Sequence, residues 1–424
     1  MLQFIYTILL YLIQPFVWLR LLLRSRKAPA YRKRWAERYG FCKGKVKPNG
    51  ILVHSVSVGE TIAAIPLIKA LQTRYPNLPI TVTTMTPTGS AQVIKSLGDS
   101  VSHVYLPYDL PCALKRFFNT LQPKLVIIME TELWPNIIHQ LNQRHIPLII
   151  ANARLSERSA KRYAKLGKSI AHLLTQISYI AAQNETDKQR FIALGCPQTQ
   201  ISATGSIKFD IHLTQAQIEQ IADLKAQWQL TRPVWIAAST HQGEDELMLQ
   251  AHQQLLQYHP DFLLILVPRH PERFNDVAQL IKAHHFTLQK RSEQQALNPQ
   301  TQVLLGDTMG ELILLYGLAN IAVVGGSFVD RGGHNPLEPA LHHLPIIMGK
   351  HIFNFSVICE QLVQAQGLML VESNCMKIFN KINDLQNNSK QCQQMGENAY
   401  QVLKRNQGAL DRLLTIIDQH IIHQ

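Results

Sequence analysis

Beyond residue 50 the chain alternates short apolar runs with amphipathic stretches. The runs fall at 51–57, 80–85, 124–129, 146–151 and 179–182, then at 233–238, 262–267, 303–305 and 321–324. Such alternation predicts α/β structure in which parallel strands are wrapped by helices. A polar, helix-like stretch over 214–230, ending at Thr231-Arg232-Pro233, separates two strand series of similar size and places a domain boundary near residue 210. No sequence repeat is visible. Two doubly wound, Rossmann-like domains facing across a cleft are therefore expected, with ligands at the carboxyl ends of the strands.

The N-terminus breaks this pattern. Residues 2–19 are apolar apart from Gln3, Thr7, Gln14 and Pro15, and 21–23 extend the run, so it is long enough to span a bilayer. Basic residues follow it (Arg20, Arg24, Arg26, Lys27, Arg32, Lys33, Arg34, Arg38), whereas a signal peptide carries its charge in front. The run reads as an uncleaved membrane anchor over 1–23 that keeps the rest of the chain on the cytoplasmic side, against an anionic inner-membrane surface. Pro15 and Arg20 leave a second reading open, a helix lying in the interface.

Composition narrows the partners. Of 424 residues 46% are hydrophobic, enough for two α/β cores, and 42 Lys+Arg against 29 Asp+Glu give a net charge of +13. That balance favours nucleic acid, acidic lipid or phosphorylated substrates. The six cysteines are scattered without a CxxC pair or zinc spacing, as in a reduced cytosolic protein.

Chemistry concentrates where strands give way to helices. The segment 325–340 passes from a strand through four glycines in nine residues to a helix opening at Pro336. Close-approaching amides and a helix start there fit a nucleotide or sugar phosphate. A plain capping box, Asn335 with Glu338, is the alternative, and it leaves Gly332, Gly333 and His334 unexplained. Thr308-Met309-Gly310-Glu311 and Ser57-Val58-Gly59-Glu60 repeat the pattern of a polar residue, two spacers and a glutamate. Glu60, at the tip of the first strand, suits a general base whose basicity partial desolvation would raise. Glu130 ends another strand with Glu132 two residues on; the pair reads as metal ligands or as a cap. The chain has no DxD motif, so neither a metal nor another cofactor is expected.

Six motifs in order carry a resemblance. They are residues 54–60 (HSVSVGE), 130–136 (ETELWPN), 151–156 (ANARLS), 268–273 (PRHPER), 306–312 (GDTMGEL) and 325–340. Together they resemble the 3-deoxy-D-manno-octulosonic acid (Kdo) transferases of lipopolysaccharide assembly, from the anchor to about residue 415. The resemblance implies a GT-B fold, an architecture shared by many sugar transferases. It also implies CMP-Kdo as donor, the lipid A precursor (lipid IVA) as acceptor, and an inverting transfer that releases CMP at the bacterial inner membrane without a metal. By the same matching Glu60 is the base, Glu130 and Lys208 stabilise the transition state, and Pro268, Arg269, Met309, Gly310, Glu311, Asn335, Pro336, Leu337 and Glu338 contact CMP. The implied domains are the anchor, an acceptor domain over 24–210 and a CMP-sugar domain over 211–424. His270 and His334, without ligand-like spacing, are read as structural or peripheral. The basic set Arg154, Arg158, Lys161, Arg162, Lys165 and Lys168 reads as one side of a helix that meets a phosphorylated lipid or an anionic surface.

Two rival classes remain to be weighed. A nucleic-acid-binding protein would be equally basic, but no RRM-type or zinc-finger motif is present, so no nucleic-acid partner is expected. A GT-B enzyme using another nucleotide sugar, a UDP-sugar transferase or epimerase, would share the fold and the glycine-rich turn.

Overall fold

The computed structural model describes residues 2–26 and 28–421; Lys27 of the basic run and the outermost residues of the first and last expected domains lie outside the described residues. The chain forms two compact units, 1–210 with 407–424, and 211–406.

In the first unit, strands β1 (Ile51–His54), β2 (Ile80–Thr84), β3 (Ser102–Tyr105), β4 (Leu125–Met129), β5 (Leu148–Ala153), β6 (Tyr179–Ala182) and β7 (Ile201–Ala203) pair in the order β3-β2-β1-β4-β5-β6-β7. Every pairing is parallel. Alternate strand residues serve two apolar layers. Leu52, Val126, Ile128 and Ile150 face one layer, and Ile51, Val53, Ile127 and Ile149 face the other. Burial on both sides explains why the runs are continuously apolar, as parallel sheets require.

The second unit repeats the plan. Its strands are β8 (Val234–Thr240), β9 (Leu263–Pro268), β10 (Leu288–Lys290), β11 (Val303–Leu305), β12 (Ile321–Val324), β13 (Ile346–Met348) and β14 (Leu368–Leu370), in the order β10-β11-β9-β8-β12-β13-β14 and again all parallel. In each sheet the strand order reverses beside the unit's first strand. The carboxyl ends of β1 and β4, and those of β8 and β12, are thus the switch points at which such sheets place ligands.

Two expectations need correction. The last helix, Ala409–Ile421, returns to the first unit, so the second does not run to residue 424. Leu413, Leu414, Ile416 and Ile417 join a core layer of the first unit, and the Asp210 carboxylate accepts from the Gly408 and Leu410 amides at 2.6 Å each. The expected single anchor helix is instead two helices, Leu2–Leu12 and Gln14–Ser25, bent by 50°. Pro15, lacking an N–H, breaks the ladder there. No single helix among the described residues is long and apolar enough to cross a membrane, although the bent pair together meets that length and composition.

Candidate functional site

At the first switch point Ser57 caps the helix Val58–Arg74 by accepting from the Glu60 amide. The Glu60 carboxylate turns back over this turn, accepting from the Val56 amide at 2.7 Å and the Ser57 hydroxyl at 2.9 Å. These bonds favour the charged form, yet burial and then the Glu130 charge outweigh them, and the carboxyl titrates above its ordinary range. Glu60 thus makes the reciprocal bonds of a cap while remaining a desolvated carboxylate.

Glu130 follows β4 with φ +57°, a left-handed conformation that strains a residue with a side chain. Its amide donates to Ala151 O at 2.8 Å, and its carboxylate lies 3.9 Å from the Lys208 ammonium, with both side chains about 30% exposed. Lys208 points outward because its neighbours Ile207 and Phe209 are buried. The turn Ile207–Phe209 is pinned from β5: the ladder is irregular between Ile150 and Ala153, and the Asn152 side chain accepts from the Ile207 amide at 3.2 Å. Glu132 completes the group. Burial first, then the charges of Glu60 and Glu130, push its carboxyl up to about 7. Three carboxylates and one ammonium thus gather at the ends of β1 and β4, with Glu132, which the sequence offers only as a metal ligand or a cap, beside Glu60 and Glu130.

In the second unit the glycine-rich turn wraps an anion of the chain's own. The fully buried Glu244 carboxylate accepts from the Gly326 amide (2.8 Å), the Phe328 amide (2.9 Å) and the His241 amide (2.8 Å). The Gly333 and His334 amides donate to Gly326 O and Gly325 O. Gly332, at φ +83°, packs where a Cβ would meet Phe353 at 2.4 Å. His334 stacks on His241 with centroids 5.1 Å apart and the two Nε2 atoms 2.9 Å apart. Packing therefore accounts for the residues that a cap left unexplained, and these five amides are committed within the chain.

Other expected donor-side residues do converge. Arg269, exposed after β9, lies close enough to the half-buried Glu338 for its charge to lower that carboxyl's titration, although desolvation raises it overall. Asn335 donates to Glu338 at 3.2 Å and accepts from the Leu337 amide at 3.1 Å. Pro336 directly precedes the short helix Leu337–Leu341, and Pro268 is buried at the end of β9. Glu311 is gripped by the Arg291 fork at 2.9 and 3.1 Å, beside exposed Met309 and left-handed Gly310. Sequence reasoning passed over a basic cavity of about 500 Å³ lined by His241, Gln242, His270, Arg273, Asp330 and Arg331. Burial and the nearby cations push His334 down to about 3, leaving it neutral. Among the described residues no group of three or more His, Cys, Asp or Glu is arranged to hold a metal.

Residues 33–211 match the family model for 3-deoxy-D-manno-octulosonic-acid transferase (kdotransferase), and residues 232–402 match that for glycosyl transferases group 1. The UDP-GlcNAc 2-epimerase from Neisseria meningitidis bound to UDP-GlcNAc is similar in structure. Its TM-score is 0.57 at 14% identity, covering 88% of this chain and 100% of that one, a likeness of fold alone. Two parallel-sheet α/β units with these matches define a glycosyltransferase fold of the GT-B kind. The 3-deoxy-D-manno-octulosonic acid transferase of Haemophilus influenzae is 49% identical over 421 residues, 99% of both chains. That of Bordetella pertussis is 33% identical over 376 residues, 85% of this chain and 86% of the other. The chain belongs to the Kdo transferase family.

Proposed function

We propose that this chain transfers Kdo from CMP-Kdo to a hydroxyl of the lipid A precursor lipid IVA, with inversion and release of CMP. The observation that supports this reading most is the desolvated Glu60 beside Glu130, Glu132 and Lys208 at the first switch point. Glu60 takes the proton of the acceptor hydroxyl as that oxygen bonds to the anomeric carbon. The bond from that carbon to the phosphate breaks on the opposite side, and the electron pair leaves with CMP. Lys208, held near Glu130 and still in contact with solvent, offers a cation where negative charge develops. Arg269 offers a fork for the phosphate, and Asn335 and Glu338 offer polar atoms to the nucleotide, with Pro268, Met309, Gly310, Glu311, Pro336 and Leu337 as further contacts.

The membrane setting belongs to the same proposal. Arg154, Arg158, Lys161, Arg162, Lys165 and Lys168 are all exposed on the first unit, which suits a phosphorylated lipid on the cytoplasmic face of the inner membrane. Incubating the purified chain with CMP-Kdo and lipid IVA, and weighing the products, tests the transfer. Glu60→Gln is expected to slow turnover by about 10²–10⁴-fold with the fold intact. Turnover within a few-fold of the parent refutes Glu60 as base, and competition by UDP rather than CMP refutes the donor.

A further inference from the structure

The two N-terminal helices are amphipathic in the wrong sense for water. Gln3, Tyr6, Leu10, Gln14, Val17 and Leu21 recur every three or four residues, continue across the bend, and form the less exposed stripe. This stripe is bonded to the first unit turn after turn. Gln3 donates to Asn136 at 3.3 Å and Thr7 to the same oxygen at 3.2 Å, and Tyr6 donates to Asp109 at 3.0 Å. Further along, Tyr39 donates to Gln14 at 2.9 Å, Trp18 meets Tyr39, and Arg32 donates to Ser25 at 2.8 Å. Asp109 and Asn136 are themselves buried. The opposite stripe, Phe4, Ile8, Leu12, Phe16, Leu19 and Leu23, is exposed, with Phe4 at 69%, Leu12 at 66% and Phe16 at 68%. A surface helix in water hides its apolar stripe and wets its polar one. Here the stripe that carries the hydrogen-bonding groups is inside and a wholly apolar stripe is outside.

We infer that this helix pair lies in the plane of one leaflet of an anionic membrane, latched to the first unit by its polar stripe, and does not cross the bilayer. Neither helix alone is long enough to cross, and the pair together could do so only with the latch opened. The helix Leu2–Leu12 has 11 residues, about 16 Å of rise against roughly 30 Å of hydrocarbon. Residues from 3 to 25 touch the body of the unit, so a span would have to strip away every bond of the seam. Charge identifies the occupant as lipid. Arg20 and Arg24 are exposed on the second helix and Arg26 just past its end, and five more exposed cations, Arg158, Lys161, Arg162, Lys165 and Lys168, stand on the same unit. A lipid-facing apolar stripe flanked by cations is the pattern of an interfacial helix on anionic headgroups. The latch also reaches the proposed acceptor site: a cavity of about 700 Å³ is lined by Gln3 and Tyr6 of the first helix together with Glu132, Trp134, Tyr163 and Leu173. Only this link to a lipid-borne acceptor rests on the proposed function; the placement in the leaflet does not.

The full chain with an added N-terminal extension bearing a protease site decides the topology. In sealed inside-out inner-membrane vesicles the extension is expected to be cut, and in right-side-out vesicles to be protected, because both ends of the pair lie on the side of the body. Cleavage only in right-side-out vesicles overturns the inference. Independently of any turnover, Phe4→Asp with Leu12→Asp and Phe16→Asp is expected to lower retention on phosphatidylethanolamine/phosphatidylglycerol vesicles by more than about a hundredfold while circular dichroism is unchanged. Undiminished retention overturns the inference, as does a lipid-free dimer that the same substitutions dissolve, which would make a second copy the occupant.

Discussion

Replacing Glu132 by Gln isolates the cost of gathering three carboxylates at one sheet switch point. In the parent, the carboxyl that would titrate at 4.5 is held up to about 7 by burial and by the charges of Glu60 and Glu130. Holding it ionised in place costs on the order of 3 kcal/mol at about 1.4 kcal/mol per decade, and its partial contact with solvent reduces this to about 1–2 kcal/mol. The sign follows from proton binding. Between pH 4.5 and 7 the folded chain keeps a proton that the unfolded chain has released, so this group's contribution is fully present below 4.5 and lost as pH rises through 7. Glutamine has the same shape and no charge to lose. Glu132→Gln should therefore match the parent near the acid end and exceed it by about 1–2 kcal/mol above pH 8. Hydrogen exchange of the β1 and β4 amides under mild urea is the appropriate assay, because a chain of two units need not unfold in one step. A stability difference that stays flat from about pH 5 to 8, or that favours the parent as pH rises, refutes the electrostatic account.

Three further outcomes follow from particular contacts. Glu244→Ala leaves three amide donors around a buried void and should cost about 3–5 kcal/mol in unfolding free energy, with Glu244→Gln milder; a loss under about 1 kcal/mol would show that the turn holds itself. Glu130→Gly should be more stable than Glu130→Ala by about 1 kcal/mol, since only glycine accepts the left-handed backbone without strain, while both lose turnover; equal denaturation midpoints would remove the strain argument. Glu338→Ala should weaken CMP binding by about tenfold in calorimetry, from the loss of one charge-assisted hydrogen bond, with the fold retained; unchanged affinity would leave Asn335 and Glu338 as a cap alone.

The fold was legible where the sheet made it so. Strands covered on both faces must be apolar at successive positions, and β1, β4, β5, β8, β9 and β12 announce themselves for that reason. The edge strand Ser102–Tyr105 carries polar residues, and β14 has three residues of which only the first is buried. The closing helix was visible as a helix but not as a return to the first unit, since only contact with that unit's apolar layer decides where it docks. At the N-terminus, Gln3, Thr7 and Gln14 looked like blemishes in an apolar run. Their spacing places them on one face, which is where the structure spends them as hydrogen-bonding groups.

The candidate site was legible by residue type and not by partner. Glu60 stands out because a strand end, a glycine and a glutamate occur within seven residues, so local sequence contains the whole signal. The turn at 325–335 shows the limit of that reasoning. Glycines that let amides converge on an anion leave the same trace whether the anion is a phosphate from outside or a carboxylate from within. What separates the two here is Glu244, more than 80 residues earlier in the chain. The His241–His334 stack is likewise joined only by the pairing of β8 with β12. Glu244 takes the Gly326 and Phe328 amides, while Arg269 and Arg331 stand exposed near the switch point. The buried carboxylate holds the backbone of the turn while the arginines stay at the surface, so the turn's shape and the charge beside it come from different parts of the sequence.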